Sequence, residues 1–572
     1  MKRCPQCNRV ETDDALGFCR ADGTALVFDS SPSGKQPGAT RLEWAATEAE
    51  TNILPHTTAA KVNHSTFSTT VLPLSTSPSG TRETKPRLSW TAIVLVGFGL
   101  AAISVSTYFY FTKKAPATIE SIAVMPFINE SGNVDVEYLS DGMTETLISN
   151  LSQIPTLNVK ARSSVFRYKG KETNLQKIAE ELNVQAILNG RVGQRGEQLI
   201  LNLELVDGKT ENVIWSGQYN RKQSDLVSLQ TEIARDVTQK LKTKLSGTDE
   251  QRLAKSYTEN AEAYQLYLRG RYHWNKRAEK DIRKAIEYFQ QAVVVDPTYA
   301  LAFTGLADAY SILPDYSNSP PREMMPIAHQ FALKALAFDH NLAEAHSALG
   351  AILETYNYDF AGAEREYKKA IELNTNYATA HQWYGELLSF LGRHEESSSE
   401  IQRALELDPY SLIINRVYGE ALLRARKYDE SVAQLKKTIE LDANFAPAHR
   451  SLFSTYQAKG NHAESVETLA RYFELLGNHQ DAALARESFV QGGWQKFQRA
   501  MSTERRTVNL PSYIVALFFA ELGDENRAFT ELDRAYNNRE SYLRLIKTDP
   551  RFDSLRDDPR FKELLKRVGF PH

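Results

Sequence analysis

Cysteine is almost absent from this chain of 572 residues: Cys4, Cys7 and Cys19 are all it has. No intramolecular disulfide can staple anything beyond Cys19, so the long remainder must be stabilised by packing. Free thiols at metal-ligand spacing fit a reducing compartment better than an oxidising one. Neither sign of charge is in excess, since 68 Lys+Arg against 71 Asp+Glu leave a net charge of -3. That balance excludes a global basic surface for nucleic acid and an acidic solvating tail. Catalytic signatures are missing as well. There is no G-x-x-x-x-G-K-[ST], no G-x-S-x-G, no H-E-x-x-H and no kinase set, and His394-Glu395-Glu396 lacks a second histidine. The expectation is a protein that is not an enzyme.

What is present is globular in composition, with 42% hydrophobic and 24% charged residues. The length implies three or four structural units. The first spans 1–27. Cys4-Pro5-Gln6-Cys7 is a C-x2-C turn that lets two thiolates converge on a tetrahedral zinc. Cys19-Arg20-Ala21-Asp22 repeats the offset, with Asp22 where a fourth sulfur would stand. So short a piece buries too little apolar surface to fold alone, and a metal supplies the missing free energy. CPQC and FCRADG resemble the zinc-ribbon heads of many bacterial membrane proteins. The resemblance implies zinc on Cys4, Cys7, Cys19 and Asp22, and the alternative is a degenerate ribbon that keeps its turns without metal. Arg3, Arg9 and Arg20 are balanced by Glu11, Asp13 and Asp14, so the head lacks the basic face that DNA binding needs.

Residues 28–89, rich in Ser, Thr, Pro and Gly, read as a flexible linker. Residues 90–112 follow as a transmembrane helix. Thr91 to Phe111 carries no charge, and at about 1.5 Å per residue it is long enough for a ~30 Å hydrocarbon core. Trp90, Tyr108 and Tyr110 stand where interfacial rings belong. Gly97 to Ala102 matches a relaxed dinucleotide fingerprint, but one lying inside an apolar span carries none of the required strand and helix context. Gly97 and Ala101 form a small-xxx-small pair through which two copies could approach, the basis for expecting a homodimer. Cysteines before the span and none after it place the N-terminus in the cytoplasm. The expected localisation is a single-pass protein of the bacterial inner membrane with its C-terminal domains outside.

Residues 117–247 read as an α/β domain. IESIAVMPFIN is a buried strand, VEYLSDGMTETLISNLSQI a helix, LNVKARSSVF a second strand, NLQKIAEELNV a short helix and 185–221 three strands joined by hairpins, with a closing helix at DLVSLQTEIARDVTQKLKTKL. Asp141, Thr144 and Glu145 read as N-terminal capping and dipole chemistry. Gly190, Gly193 and Gly196 read as a hairpin, because no helix start follows to hold a phosphate. IAVMPF, YLSDGMTETLISNLS, VQAILNGRV and WSGQY resemble the TolB amino-terminal-like domain, related to the FlgO type. The likeness implies an interaction or sensing module without assigned catalytic residues.

From 260 to 540 the chain follows a period near 34 residues. Leu349-Gly350, Tyr384-Gly385 and Tyr418-Gly419 fall at one register, and Pro297 and Pro409 close two units. This pattern resembles the tetratricopeptide repeat (TPR), whose paired helices stack into a superhelix with a concave groove. Units at 343–377, 378–411, 412–445 and 446–479 are close to ideal, the second unit carries the insertion LPDYSNSPP, and 480–508 lose the pattern. Residues 541–572 read as a capping helix. The family pattern implies that Glu354, Gln382, Glu386, Arg416, Glu420, Arg424, Arg450 and Gln457 point into the groove and receive a protein or peptide. His346, His381 and His449 read as packing residues rather than ligands.

The fold expected is thus multidomain: a small zinc-ribbon-like head, a single transmembrane helix, an α/β domain, then an all-α TPR superhelix. The function expected is a non-enzymatic interaction scaffold or sensor. The order of parts resembles acid-sensor-type membrane regulators and bacterial proteins described as cyclases, with the cytoplasmic output domain replaced by the ribbon. The alternative is a signalling or transcription regulator whose ribbon contacts nucleic acid or the transcription machinery.

Overall fold

A computed structural model describes residues 118–571, apart from 134–135, 172–173, 242–245, 318 and 505–509, together with three short strands near the N-terminus. Those strands, β1 (Lys2–Arg3), β2 (Val10–Glu11) and β3 (Val27–Phe28), pair antiparallel with β1 in the middle. The expected zinc ligands Cys4, Cys7, Cys19 and Asp22, the linker beyond Phe28 and residues 90–112 lie outside the described residues.

Among the described residues no helix is long and apolar enough to cross a membrane. This corrects the expected localisation: the single-pass inner-membrane placement, with the C-terminal domains on the far side, has no described helix to rest on. The apolar runs that are described belong to short packed helices. Ser512–Glu521, for example, has 10 residues, about half of what a span requires.

The α/β domain is built around β4 (Ser121–Val124), whose Ile122, Ala123 and Val124 are fully buried. A strand that is apolar on both faces belongs in the middle of a covered sheet. After β5 (Ile128–Asn129) come helix α1 (Glu137–Ser152), β6 (Asn158–Val159), α2 (Arg162–Phe166), α3 (Leu175–Leu182), β7 (Ala186–Arg195), β8 (Gln198–Asp207), β9 (Val213–Lys222) and α4 (Leu226–Lys240). The sheet order is β6-β4-β7-β8-β9, parallel from β6 to β7 and antiparallel beyond, with β5 also paired to β7. The expected second strand is cut short. Only Asn158 and Val159 pair, and 162–166 turn into α2, because the Ser163 and Ser164 hydroxyls are taken by the Asp408 carboxylate.

After α5 (Gly247–Ala254), the repeats run as helix pairs: α6 (Ala261–Trp274) with α7 (Glu279–Val295), α8 (Ala300–Tyr316) with α9 (Pro321–Phe338), α10 (Ala343–Ile352) with α11 (Phe360–Leu373), α12 (Ala378–Leu391) with α13 (His394–Leu407), α14 (Leu412–Arg424) with α15 (Tyr428–Leu441), and α16 (Ala446–Lys459) with α17 (His462–Leu475). The small residues at the shared register are demanded by contact. A Cβ on Gly385 would meet Ile401 Cγ1 at 2.5 Å, and one on Gly419 would meet Leu435 Cγ at 2.5 Å. In α10, α12, α14 and α16 the residue three past the helix start ties down the loop before it. Side-chain nitrogens of His346, His381, Asn415 and His449 bond the carbonyl six residues back at 3.0, 3.1, 2.9 and 3.1 Å. His346 and His381 also reach Glu366 and Glu400, each at 2.6 Å.

The insertion LPDYSNSPP is partly helical, since α8 continues through Pro314 to Tyr316. The pattern fails at 480–508 because α18 (His479–Arg499) is broken at Gly492 and Gly493, the latter at φ 63°. Helices α19 (Ser512–Glu521) and α20 (Glu525–Asn537) then form a further pair. The expected C-terminal capping helix is replaced by two 3-10 segments, Ser541–Leu545 and Pro550–Leu555, and the short helix α21 (Pro559–Arg567). These do not merely cover an end. Leu543, Ile546, Phe552, Leu555, Phe561, Leu564, Val568 and Phe570 are buried in one cluster with Tyr358, Phe360 and Tyr367 of the third repeat.

Candidate functional site: the concave face of the repeats

The first helices α10, α12, α14 and α16 carry the eight residues expected in the groove or hold them at their ends, and the structure gathers them on one inner face. That face is already occupied by the chain's own C-terminal segment. Arg544 Nη1 donates to Glu354 Oε1 at 2.7 Å and its Nη2 lies 4.0 Å from Glu386 Oε2. Arg450 donates to the Tyr542 hydroxyl. Arg551 Nη1 donates to Ser454 Oγ at 3.0 Å and to Gln457 Oε1 at 3.2 Å. Glu354, Gln382, Glu386, Arg424 and Gln457 are buried as a result, while Arg416, Glu420 and Arg450 are partly accessible. The C-terminal segment thus lies against Glu354, Glu386, Arg450 and Gln457, and eight large apolar side chains anchor it.

Electrostatics follow from that enclosure. Burial is the largest influence on Glu354 and pushes its carboxyl up to about 7, against the opposing charge of Arg544 and with the help of neighbouring Glu386. Glu420 behaves oppositely. Burial again raises it, but Arg416, Arg424 and the Ser451 hydroxyl outweigh that and hold it down to about 2. Asp315, exposed at the end of α8, is raised by its crowded surroundings and lowered by Arg544, Arg450, Arg277 and Arg416, so it feels the charges of the concave face.

A second polar cluster joins the α/β domain to the repeats. Glu145 was read from sequence as helix-dipole chemistry, and with Asp141 and Thr144 it sits in the second and third turns of α1 instead. It accepts from Arg271 Nη2 at 2.6 Å and Asn275 Nδ2 at 2.8 Å, and forms an ion pair with Arg162, whose Nε lies 3.0 Å away. Burial would raise its carboxyl, but Arg271 and Arg162 hold it low. Asp141 pairs with Lys169 at 2.5 Å, and the Thr144 hydroxyl accepts from the Phe127 N–H at 3.0 Å. Asn376 Nδ2 reaches the carbonyls of Ser152, Ile154 and Leu157 at 3.1, 2.9 and 3.1 Å. Asp408 accepts from Ser164 Oγ at 2.5 Å, and Lys160 Nζ donates to the Glu406 carbonyl at 2.6 Å. Sequence reasoning missed Asn376 and Asp408. The available signal was an Asn and an Asp in loops between helix pairs, where either residue is usually spent on a local turn.

Gly190 carries no phosphate loop. It pairs with Leu203 within β7–β8, under the ring of Phe127. Among the described residues no group of three or more His, Cys, Asp or Glu is arranged to hold a metal.

Residues 118–236 match the family model of the second domain of HilA/YgeH-like transcriptional regulators, and residues 378–411 match a tetratricopeptide repeat model. The chain is 33% identical over 190 residues to "Putative adenylate cyclase 3" of Rhizobium meliloti, covering 33% of this chain and 32% of that protein. It is 20% identical over 285 residues to the transcriptional regulator HilA of Salmonella typhimurium, covering 50% of each. The chain thus spans only a third to a half of the length of these curated relatives. Among solved structures it is similar to YrrB, a TPR protein with an unusual peptide-binding site, at 22% identity over 35% of this chain and 97% of that one, TM-score 0.25. It is also similar to PilF of Pseudomonas aeruginosa, at 19% identity over 46% and 97%, TM-score 0.27. The repeat match and the helix pairing agree on TPR repeats in the C-terminal half. The α/β domain carries a likeness to a regulator domain.

Proposed function

We propose that the chain is a non-enzymatic scaffold for protein–protein interaction, in which the α/β domain and the repeats present one composite surface to a protein or peptide. The observation that carries this reading is the concave face itself. Its arginines, carboxylates and amides already hold a polypeptide segment, residues 541–551, by side-chain contacts from Glu354, Glu386, Arg450 and Gln457. The part of that face left for a partner is its rim, where Asp315 and Tyr316 are exposed beside Arg416. An exposed tyrosine next to charges of both signs suits a protein partner better than a small polar substrate.

The test is site-specific photocrosslinking of the full chain in its native cells, with the reactive residue at position 316 or, as a control, at Val294, which is exposed on the outer helix of the first repeat. A crosslinked polypeptide at 316 and none at 294 supports the scaffold. No adduct at 316, together with cyclic AMP formation from ATP by the purified full chain, overturns it.

A second reading, a signalling or transcription regulator, is favoured by the likeness of residues 118–236 to a regulator domain. It predicts that deleting the gene alters a defined set of transcripts and that Glu145→Ala, at the seam between the domains, reproduces the change.

A further inference from the structure

The returning C-terminal segment does not fill the concave face evenly. A cleft remains between α14, α16 and α17 on one side and residues 510–551 on the other. Leu423, Phe453, Leu469, Ile514, Phe518 and Leu545 give it apolar walls, and Glu420, Arg424, Arg450, Asp549 and Arg551 contribute the charges.

Those charges are unevenly matched. Arg551 Nη2 meets Asp549 Oδ2 at 2.7 Å, and both are buried. Glu420 is engaged by Arg416, which is not among the lining residues, and by Ser451 Oγ at 2.5 Å. Arg424 and Arg450 have no carboxylate within 4.0 Å among the described residues. Three arginines facing two carboxylates leave the walls one anionic charge short. Arg424 is 6% exposed; its Nε donates to Ser389 Oγ at 2.7 Å, and its guanidinium lies 4.9 Å from the Phe390 ring centroid. Its Nη2 is buried with no partner at all. Arg450 donates to the Tyr542 hydroxyl and lies 5.2 Å over that ring. A buried cationic N–H without an acceptor is a costly arrangement that folded proteins avoid unless something else completes it. Burial accordingly pulls the Arg424 guanidinium below its ordinary range, despite the charges of Glu420, Glu386 and Asp549 nearby.

We propose that this cleft binds a small organic acid, with its carboxylate received by Arg424 Nη2 and the Arg450 guanidinium and its apolar body packed against Phe453, Leu469 and Ile514. A monocarboxylate supplies the one missing negative charge, and arginine receives a carboxylate by charge-assisted hydrogen bonds. Apolar walls with a few convergent polar groups are the usual make-up of a small-molecule site. The proposal does not depend on the scaffold reading, whose contact surface lies at Tyr316.

The full chain is titrated calorimetrically with 1-naphthoate and with decanoate, and with 1-naphthalenemethanol as the uncharged control. The expected result is one saturable site per chain for at least one acid, with the alcohol weaker by about tenfold or more. Arg450→Gln and Arg424→Gln are each expected to weaken the acid by about tenfold or more, the scale of a lost charge-assisted contact. Arg424 is buried, so its variant risks misfolding. Ile514→Trp keeps both arginines, closes the apolar end and is expected to abolish binding while its melting stays cooperative. The proposal is overturned if neither acid binds the wild type, if the alcohol binds as tightly as the acid, or if binding survives both Arg450→Gln and Ile514→Trp unchanged.

Discussion

Arg544 and Glu354 are 190 residues apart in sequence, yet their side chains meet at 2.7 Å. Glu354 is 2% exposed, so this contact brings the end of the chain against a buried carboxyl in the third repeat. The pairing turns an exposed groove into an interior, and the behaviour of both residues follows from that.

Replacing Arg544 by Gln leaves Glu354 buried without its cation. Because its carboxyl is already raised to about 7, Glu354 takes up a proton instead of standing as a bare buried charge, so the loss is about 1–3 kcal/mol, read as a lower urea midpoint. The pH dependence has a definite sign. Burial raises the Glu354 carboxyl from the ordinary 4.5 to about 7 in the folded chain. The stability it contributes is therefore fully present below pH ~4.5 and is lost as the pH rises through about 7. Melting temperatures at pH 5 and pH 8 should differ less in Glu354→Gln than in the wild type. An equal difference would mean that Glu354 does not titrate in this window.

Asn376→Ala removes the amide that closes three carbonyls at the end of α1. The Ile154 carbonyl keeps the Leu157 N–H at 3.1 Å, so the loss falls on the Ser152 and Leu157 carbonyls and costs about 1–3 kcal/mol in all. The change should appear locally, as faster hydrogen exchange in residues 150–157 of the full chain, before it lowers the global melting temperature. Unchanged exchange there would show that Asn376 does not hold the α/β domain to the repeats.

Gly190→Ala puts a methyl 2.3 Å from Cδ1 of Phe127. Phe127 is itself fully packed, so the ring cannot swing away without opening the sheet. Overpacking of this kind costs about 1–3 kcal/mol. Pairing the substitution with Phe127→Leu should recover part of the loss, and a thermal melt of the single and double variants measures it.

A stop codon after Glu540 removes Leu543, Ile546, Phe552, Leu555, Phe561, Leu564, Val568 and Phe570 from the core. Burial of so many large side chains is worth on the order of 10 kcal/mol even after discounting for a compact unfolded state, comparable to the whole stability of a typical domain. The truncated chain should bind a hydrophobic dye and lose cooperative unfolding. A detachable cap would instead leave a folded repeat array, and cooperative melting of the truncated chain would identify it as one.

How far the sequence could be read depended on the range of the interactions. Gly350, Gly385 and Gly419 announce the repeats because each touches a side chain of its own helix pair, within about one period of itself. Glu354, Gln382 and Glu386 are buried in the same units. What covers them was not legible, because Arg544 and Tyr542 lie in a polar, irregular stretch with no period to betray a return to the third and sixth repeats. Glu145 was mistaken for a helix-dipole residue since its partners Arg271 and Asn275 are 126 and 130 positions away. The second strand ends earlier than its residues suggest because Ser163 and Ser164 look like strand residues until Asp408, about 245 positions on, claims their hydroxyls.

Repeat arrays ordinarily lengthen and shorten by duplication or loss of one unit, because each unit touches only its neighbours. The contact between Arg544 and Glu354 removes that freedom. An extra helix pair inserted anywhere between them would carry the arginine away from its carboxylate and pull Phe552 and Phe570 out of the cluster they complete. The number of helix pairs from the third repeat onward is therefore fixed by residues 541–570, and that part of the array can diversify by substitution far more readily than by changing length.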